Sequence, residues 1–145
     1  MIAVDSNILV YAHREDSPWH TAAFTCLRDL AEGSEGWVLP WPCLHEFLAV
    51  VTHPRIYSPP TPLDSAIDQV EAWLESPRVI VLGEEGGYWE ILRRLLAAGR
   101  IAGPKIHDAR IAAICLQQGV RELWTIDRDF SRFPALRVRN PLTKK

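Results

Sequence analysis

The stretch that decides the fold is Met-Ile-Ala-Val-Asp-Ser-Asn, residues 1–7. A short apolar run with β-branched members predicts a strand that is buried on both faces, as at the centre of a parallel sheet. The run ends at Asp5. Ligands of open α/β sheets bind beyond the carboxyl ends of the strands, so Asp5 is predicted to lie in that crevice, beside Ser6 and Asn7. Taken alone, the stretch also fits a simple helix cap by Asp5 or Ser6.

The rest of the chain alternates apolar strand segments with amphipathic helices. Further strands are predicted at residues 37–39, 79–82, 122–127 and 136–138. Helices are predicted over residues 6–13, from 19 or 20 to 33, after Pro42, from 63 to just before Pro77, from 87 to 99, and over 103–119. Pro40 is expected to end the second strand, because proline cannot continue a central strand. This alternation predicts an α/β fold in which helices cover both faces of a parallel sheet.

Length and composition indicate one domain over residues 1–145. The 145 residues are 48% hydrophobic, enough for one substantial core. No apolar run approaches the ~20 residues that a membrane span needs, and the amino terminus lacks a secretory pattern, so a cytoplasmic protein without membrane contact is expected. Cys26, Cys43 and Cys115 suggest neither a disulfide framework nor a zinc site, and all three are expected to be small core residues.

Charge is divided unevenly along the chain. Residues 1–72 contain 3 Lys or Arg and 10 Asp or Glu, whereas residues 73–145 contain 13 and 8. A basic second half can attract a polyanion to one surface of a protein whose net charge is only −2. The alternative is that these arginines belong to ordinary solvated helix faces.

Four carboxylates are predicted to converge at the carboxyl edge of the sheet. Asp5 and Asp127 follow strands, while Glu46 and Asp108 lie near the starts of helices that begin at that edge. Each helical acid taken alone also fits a favourable interaction with the helix dipole. Carboxylates that close repel one another, and a divalent cation relieves the repulsion. An all-oxygen ligand set suits Mg²⁺, with Mn²⁺ as a substitute.

The chemistry that fits such a site is phosphodiester hydrolysis with a metal-activated water. Ser6, Asn7 and Thr125 are expected to orient that water or a phosphate by hydrogen bonds. The arginines closest in sequence to the acids are candidates for contact with a nucleic-acid backbone: Arg110, Arg128 and Arg132.

Four segments together resemble PIN-domain ribonucleases, specifically VapC-type toxins of toxin–antitoxin systems. They are Asp-Ser-Asn-Ile-Leu at 5–9, Glu46 in a helix after the second strand, His-Asp-Ala-Arg-Ile-Ala-Ala at 107–113, and Thr-Ile-Asp-Arg-Asp-Phe at 125–130. The resemblance implies a three-layer α/β/α sandwich and a Mg²⁺-dependent endoribonuclease. It assigns the acidic set to Asp5, Glu46, Asp108 and Asp127, of which Asp5, Asp108 and Asp127 are the expected metal ligands, with Asp129 assisting.

The same resemblance implies an RNA substrate, a homodimer and a cognate antitoxin that lies in a groove and reaches the acidic site. Trp19, Trp41 and Trp73 could serve the dimer or antitoxin surface, or pack in the core. Two alternatives stay open. One is a catalytically silent PIN-like module that binds an antitoxin or RNA. The other is a metal-dependent phosphatase of the aspartyl-nucleophile kind, although Asn7 stands where its second Asp is normally found.

Overall fold

The computed structural model describes residues 1–143 and is built on a five-stranded sheet. Its strands are β1 (Ile2–Val4), β2 (Trp37–Pro40), β3 (Val79–Leu82), β4 (Glu122–Trp124) and β5 (Arg137–Arg139). They lie in the order β3-β2-β1-β4-β5, and every neighbouring pair is parallel. β1 is therefore the central strand, and its Ala3 and Val4 are fully buried, as the opening sequence predicts.

Six α-helices connect these strands. They are α1 (Ser6–His13), α2 (His20–Glu32), α3 (Trp41–Val51), α4 (Leu63–Leu74), α5 (Tyr88–Gly99) and α6 (Ile106–Gln117). The chain runs from β1 through β2 to β3 by way of α1–α4 and returns across the sheet to β4 by way of α5 and α6. Because such crossovers are right-handed, the reversal places the two helix groups on opposite faces. The fold is the expected three-layer α/β/α sandwich.

Register within the sheet sets the level at which the site residues leave the strands. Ala3 of β1 pairs with Val38 of β2 on one side and with Leu123 of β4 on the other. One residue beyond the β1–β4 pairing, the Asp5 amide still donates to the Trp124 carbonyl at 3.0 Å. Asp5 and Thr125 therefore emerge side by side at the carboxyl edge.

Element boundaries differ from the sequence prediction at β2, at β4, at the predicted 103–119 helix and at the last strand. Pro40 is the last residue of β2, opposite Leu82 of β3. Proline has no backbone N–H to donate to a neighbouring strand. Pro40 is tolerated because the pairing of β2 with β1 has already ended at Val38, so no acceptor on β1 needs that donor. β4 stops at Trp124 rather than at residue 127. The predicted 103–119 helix is a 3₁₀ turn, Gly103–Lys105, followed by α6, while the last strand is shifted by one residue to Arg137–Arg139.

Burial corrects two other expectations. The apolar spacing predicts one core face formed by Leu63, Ile67, Val70 and Leu74. In α4 the buried residues are instead Ala66 and Val70, whereas Leu63 and Ile67 are 61% and 40% exposed. Cys43 and Cys115 are buried as expected, but Cys26 is partly exposed. Trp19 and Trp41 are exposed, whereas Trp73 is half-buried against Phe47.

Across residues 1–143 no helix has the length and apolar character required to cross a bilayer. The predicted Lys144–Lys145 tail lies outside the described residues.

Candidate functional site

Asp5 is held by donors on both of its carboxylate oxygens. It caps α1, and its Oδ1 accepts from the Ser6 amide at 2.7 Å, so the helix-cap interpretation is also correct. Its Oδ2 accepts from Thr125 Oγ1 at 2.7 Å and from Asn7 Nδ2 at 3.3 Å. The Ser6 amide follows β1 and the Thr125 hydroxyl follows β4. Donors at the ends of two strands therefore fix the orientation of the Asp5 carboxylate.

Burial raises the pKa of both Asp5 and the neighbouring Cys43 thiol. The Asp5 side chain is almost fully enclosed, and this burial raises its pKa, although the bond from Thr125 opposes the shift. Cys43, which is fully buried on α3, donates its thiol to Asp5 Oδ1 at 3.6 Å. Burial and the nearby Asp5 charge raise the pKa of Cys43 well above its usual value. The thiol therefore stays protonated and acts as a further donor to Asp5.

Glu46 joins the site through Ser6. The Ser6 hydroxyl donates to Glu46 Oε1 at 2.8 Å and lies 3.4 Å from Asp5 Oδ1. Glu46 is exposed, while its neighbours Leu44 and Phe47 on α3 are fully buried. This carboxylate therefore stands at the rim of the crevice, beside the apolar face of its helix, as the sequence predicts.

Thr125 links the ends of β1 and β4. Besides donating to Asp5, its hydroxyl accepts from Asn7 Nδ2 and from the Asp127 amide, each at 3.0 Å. Asn7 returns a contact through its Oδ1, which accepts from the Ile126 amide at 3.3 Å. The three predicted supporting residues, Ser6, Asn7 and Thr125, thus form one hydrogen-bond network that orients the acids.

Three further carboxylates form a compact group next to this network. Oxygens of Asp108, Asp127 and Asp129 all lie within 4.8 Å of one another. Asp108 projects from the first turn of α6, while Asp127 and Asp129 belong to the 3₁₀ turn after β4, where Asp127 Oδ1 accepts from the Asp129 amide at 2.8 Å. Partial burial, then the charges of Asp127, Asp5, Asp129 and Glu46, raise the pKa of Asp108 to about 6.

Comparison of the sequence with known protein families agrees with this grouping of acidic residues. A family model described as "PIN domain" matches residues 2–136. The chain belongs to the PIN-domain family. Ribonuclease VapC43 of Mycobacterium tuberculosis is 37% identical over 142 residues, which cover 98% of this chain and 96% of the relative. Ribonuclease VapC48 of the same species is 32% identical over 139 residues, which cover 96% of each chain. The PIN domain described here is therefore of the VapC type.

Solved structures share the fold of this PIN domain at low identity. The crystal structure of VapBC2 from Rickettsia felis, bound to a DNA fragment from its promoter, superposes with a TM-score of 0.66. The alignment has 22% identity and covers 96% of this chain and 98% of the other. FitAcB from Neisseria gonorrhoeae gives a TM-score of 0.67 at 20% identity, with 97% and 98% covered. These likenesses support the three-layer architecture.

The three predicted RNA-contacting arginines of this PIN domain differ in their surroundings. Arg110 on α6 forms an ion pair with Glu84 at 2.8 Å, so its charge is already partly balanced. Arg128 and Arg132 lie in the exposed 3₁₀ turn that carries Asp129, and neither forms an ion pair within residues 1–143. Arg128 shares a cavity wall with Asp127, so its charge lies beside the acidic group.

Two residues lie closer to the site than the sequence predicts. Asp129 is expected only to assist, yet it lies in the compact group with Asp108 and Asp127. Its two-residue spacing from Asp127 indicates this proximity, because a 3₁₀ turn brings the two acids together. Cys43 is expected only as a core residue, yet its thiol donates to Asp5. Its position three residues before Glu46, one turn earlier on the same helix, indicates that it lies near the site.

Proposed function

We propose that this PIN domain is a divalent-metal-dependent endoribonuclease that acts as the toxin of a toxin–antitoxin pair. The observation that carries the proposal is the group formed by Asp108, Asp127 and Asp129, with Asp5 close enough to help raise the pKa of Asp108. The names of the two mycobacterial relatives support the same reaction class. RNA is the proposed substrate.

The donor set suits a hard divalent cation. The grouped side chains offer carboxylate oxygens alone, which fits Mg²⁺ or Mn²⁺ better than zinc. Asp5, Asp108 and Asp127 remain the proposed ligands, and the place of Asp129 adds it to the set. Partial burial and then the neighbouring carboxylates raise the pKa of Asp108 to about 6, which supports a site whose negative charge a cation would balance. When bound, the cation would polarise the phosphate and lower the pKa of a water.

The protein's own side chains supply orientation. Ser6 holds Glu46 at 2.8 Å, and Thr125 receives the Asp127 amide at 3.0 Å, so both acids are fixed before substrate arrives. Glu46, exposed at the rim, is placed to accept a proton from an attacking water. Arg128 and Arg132 would bind phosphates on either side of the cleaved bond, with Arg110 contributing once Glu84 is displaced.

The proposal also includes two protein partners, an antitoxin and a second copy of this chain. We infer a cognate antitoxin that covers the acidic site and a homodimer of the toxin, both located in the cytoplasm. Support comes from the exposed rings of Trp19 and Trp41, since aromatic side chains are enriched in protein interfaces. The Rickettsia felis neighbour is a VapBC complex, which agrees with an antitoxin partner.

The direct test is an RNA cleavage assay on the purified protein with Mg²⁺, with Mn²⁺ and with EDTA. We expect cleavage with either ion, none with EDTA, and at least a hundredfold loss in Asp127→Asn, which removes one ligand charge at constant shape. Asp68→Asn is the matched control, because Asp68 is an exposed acid of α4 outside the group.

Two outcomes would contradict the nuclease. Release of phosphate from small monoesters without RNA cleavage would favour the phosphatase. Binding of metal and RNA without any cleavage would favour the silent module.

A further inference from the structure

A cavity of mixed polar and apolar lining opens beside the proposed catalytic group. It has a volume of about 450 Å³ and lies between the carboxyl ends of β4 and β5. Asp127 belongs to its wall as well as to the carboxylate group, so the cavity and the group adjoin at this residue. The volume is within the range of about 300–1,000 Å³ that is usual for small-molecule sites.

The wall combines two apolar surfaces with hydrogen-bonding groups. Ile126 and Val138 provide the apolar part, and Ser131 and Asn140 provide the polar part. Asn140 Oδ1 already accepts from the Leu142 amide at 3.0 Å, and its Nδ2 has no protein acceptor within residues 1–143, so it is available to a ligand. Within residues 1–143 the Ser131 hydroxyl has no protein partner. Arg128 stands at the same wall, exposed and without an ion pair in that part of the chain.

These features match the requirements of a nucleobase. Proteins that recognise single-stranded RNA pack the face of an unstacked base on side chains and read its edge by hydrogen bonds. Ile126 and Val138 suit the face, Asn140 and Ser131 suit the edge, and Arg128 suits the adjoining phosphate. If a nucleobase occupied this cavity, the RNA backbone attached to it would lie next to Asp127.

We propose that this cavity is a base-specific subsite that selects the nucleotide next to the cleaved phosphate, by donation from Asn140 and Ser131. The inference rests on the proposed function, because it assumes that RNA reaches Asp127. It predicts a preference at one position beside the cut for the base whose edge acceptors lie within reach of both Asn140 and Ser131.

A larger polar cavity provides the contrast. It has a volume of about 640 Å³, and its lining includes Arg121 and Arg137 as well as Glu35 and Glu122. It lies at the amino ends of the strands, on the opposite edge from Asp127. Size and charged lining residues therefore do not single out a subsite, whereas a wall shared with the carboxylate group does. Arg121→Gln serves as a control for Arg128→Gln.

The test maps cleavage of a randomised single-stranded RNA by sequencing the products. Wild type should show a base preference at one position beside the cut. Ser131→Ala and Asn140→Ala should each reduce that preference about tenfold, the order expected for a lost base-edge bond. Asn140→Asp keeps the acceptor for Leu142 but removes the donor, so it should also lose the preference while slowing cleavage of all sequences. Arg128→Gln should raise KM for every sequence, whereas Arg121→Gln and Ser65→Ala should change neither property.

Failure of the subsite can be separated from failure of the nuclease. If wild type cleaves and the Ser131 and Asn140 variants keep its preference, the subsite is wrong and the proposed function stands. If wild type does not cleave, the proposed function fails, and fluorescence anisotropy with five-nucleotide homopolymers tests the subsite alone. A difference in affinity among the four homopolymers that Asn140→Asp abolishes supports it, and equal affinities for wild type overturn it.

Discussion

Replacing Asp108 by Asn should stabilise the metal-free protein while abolishing its proposed activity. The Asp108 carboxylate is partly buried and faces the charges of Asp127, Asp5, Asp129 and Glu46, which together raise its pKa from 3.8 to about 6. A carboxyl group whose pKa is higher in the folded state than in the unfolded state opposes folding whenever it is ionised. Asn keeps the shape and removes the charge.

The size of the effect follows from the pKa shift. A shift of about two units corresponds to roughly 3 kcal/mol at full ionisation, at about 1.4 kcal/mol per unit. Because the Asp108 side chain is partly exposed, solvent screening reduces this figure, and we expect about 1 kcal/mol in the free energy of unfolding. For a chain of this length that gain raises Tm by roughly 3 °C.

The effect has a defined pH dependence. The cost of ionised Asp108 is fully present above its folded pKa of about 6 and disappears as pH falls below its unfolded value of 3.8. The difference in stability between Asp108→Asn and wild type should therefore be largest at pH 7 to 8 and shrink steadily between pH 6 and pH 4.

Urea unfolding in EDTA, followed by circular dichroism at pH 7.5 and pH 4.5, measures this difference. Asp68→Asn, an exposed acid outside the group, should leave stability unchanged at both pH values. Addition of Mg²⁺ at pH 7.5 should stabilise wild type and Asp68→Asn but have a much smaller effect on Asp108→Asn. A variant less stable than wild type at pH 7.5 in EDTA, or a difference that does not depend on pH, would refute the reasoning.

Three other changes test the network and the charge pattern. Thr125→Val should cost about 1–3 kcal/mol of unfolding free energy in urea titration and remove cleavage, because the buried Asp5 loses its 2.7 Å donor, whereas Thr125→Ser should retain both. Cys43→Ala should lower kcat severalfold by removing a donor to Asp5, with activity kept in Cys43→Ser, and equal rates in the two variants would contradict this role. RNA affinity should fall steeply between 50 and 200 mM salt in anisotropy titrations, since phosphate contacts release counterions, and a flat response would remove the role given to the basic half of the chain.

The sequence predicts most elements of this fold because their signals are local. The opening apolar run identifies the central strand, and periodic apolar positions with glycine or proline boundaries locate helices such as His20–Glu32 and Leu63–Leu74. The buried face of α4 is predicted less well. Ala66 and Val70 face the core while Leu63 does not, because that choice depends on where α3 and β3 lie beneath the helix.

The site is predictable to the extent that topology alone brings residues together. Parallel strands share one carboxyl edge, so Asp5 and Thr125 are expected as neighbours without knowledge of side-chain positions. The place of Asp129 depends instead on the tightness of the 3₁₀ turn after β4, and the bond from Cys43 depends on how α3 is rotated against β1. Residue spacing indicates that Asp129 and Cys43 could lie near the site, but it determines neither the tightness of the turn nor the rotation of the helix.

Asp5 and the group formed by Asp108, Asp127 and Asp129 differ in how many hydrogen-bond donors the protein provides to them. Asp5 accepts bonds from Ser6, Asn7, Thr125 and Cys43, and these donors offset only part of the burial that raises its pKa. Asp108 has no such set of donors within residues 1–143, and its pKa is raised first by partial burial and then by the neighbouring carboxylates. A divalent cation held by these acids would relieve the repulsion among them and favour their ionised forms. Thr125 donates to Asp5 and accepts from the Asp127 amide, so one hydroxyl helps to orient acids at the ends of both β1 and β4.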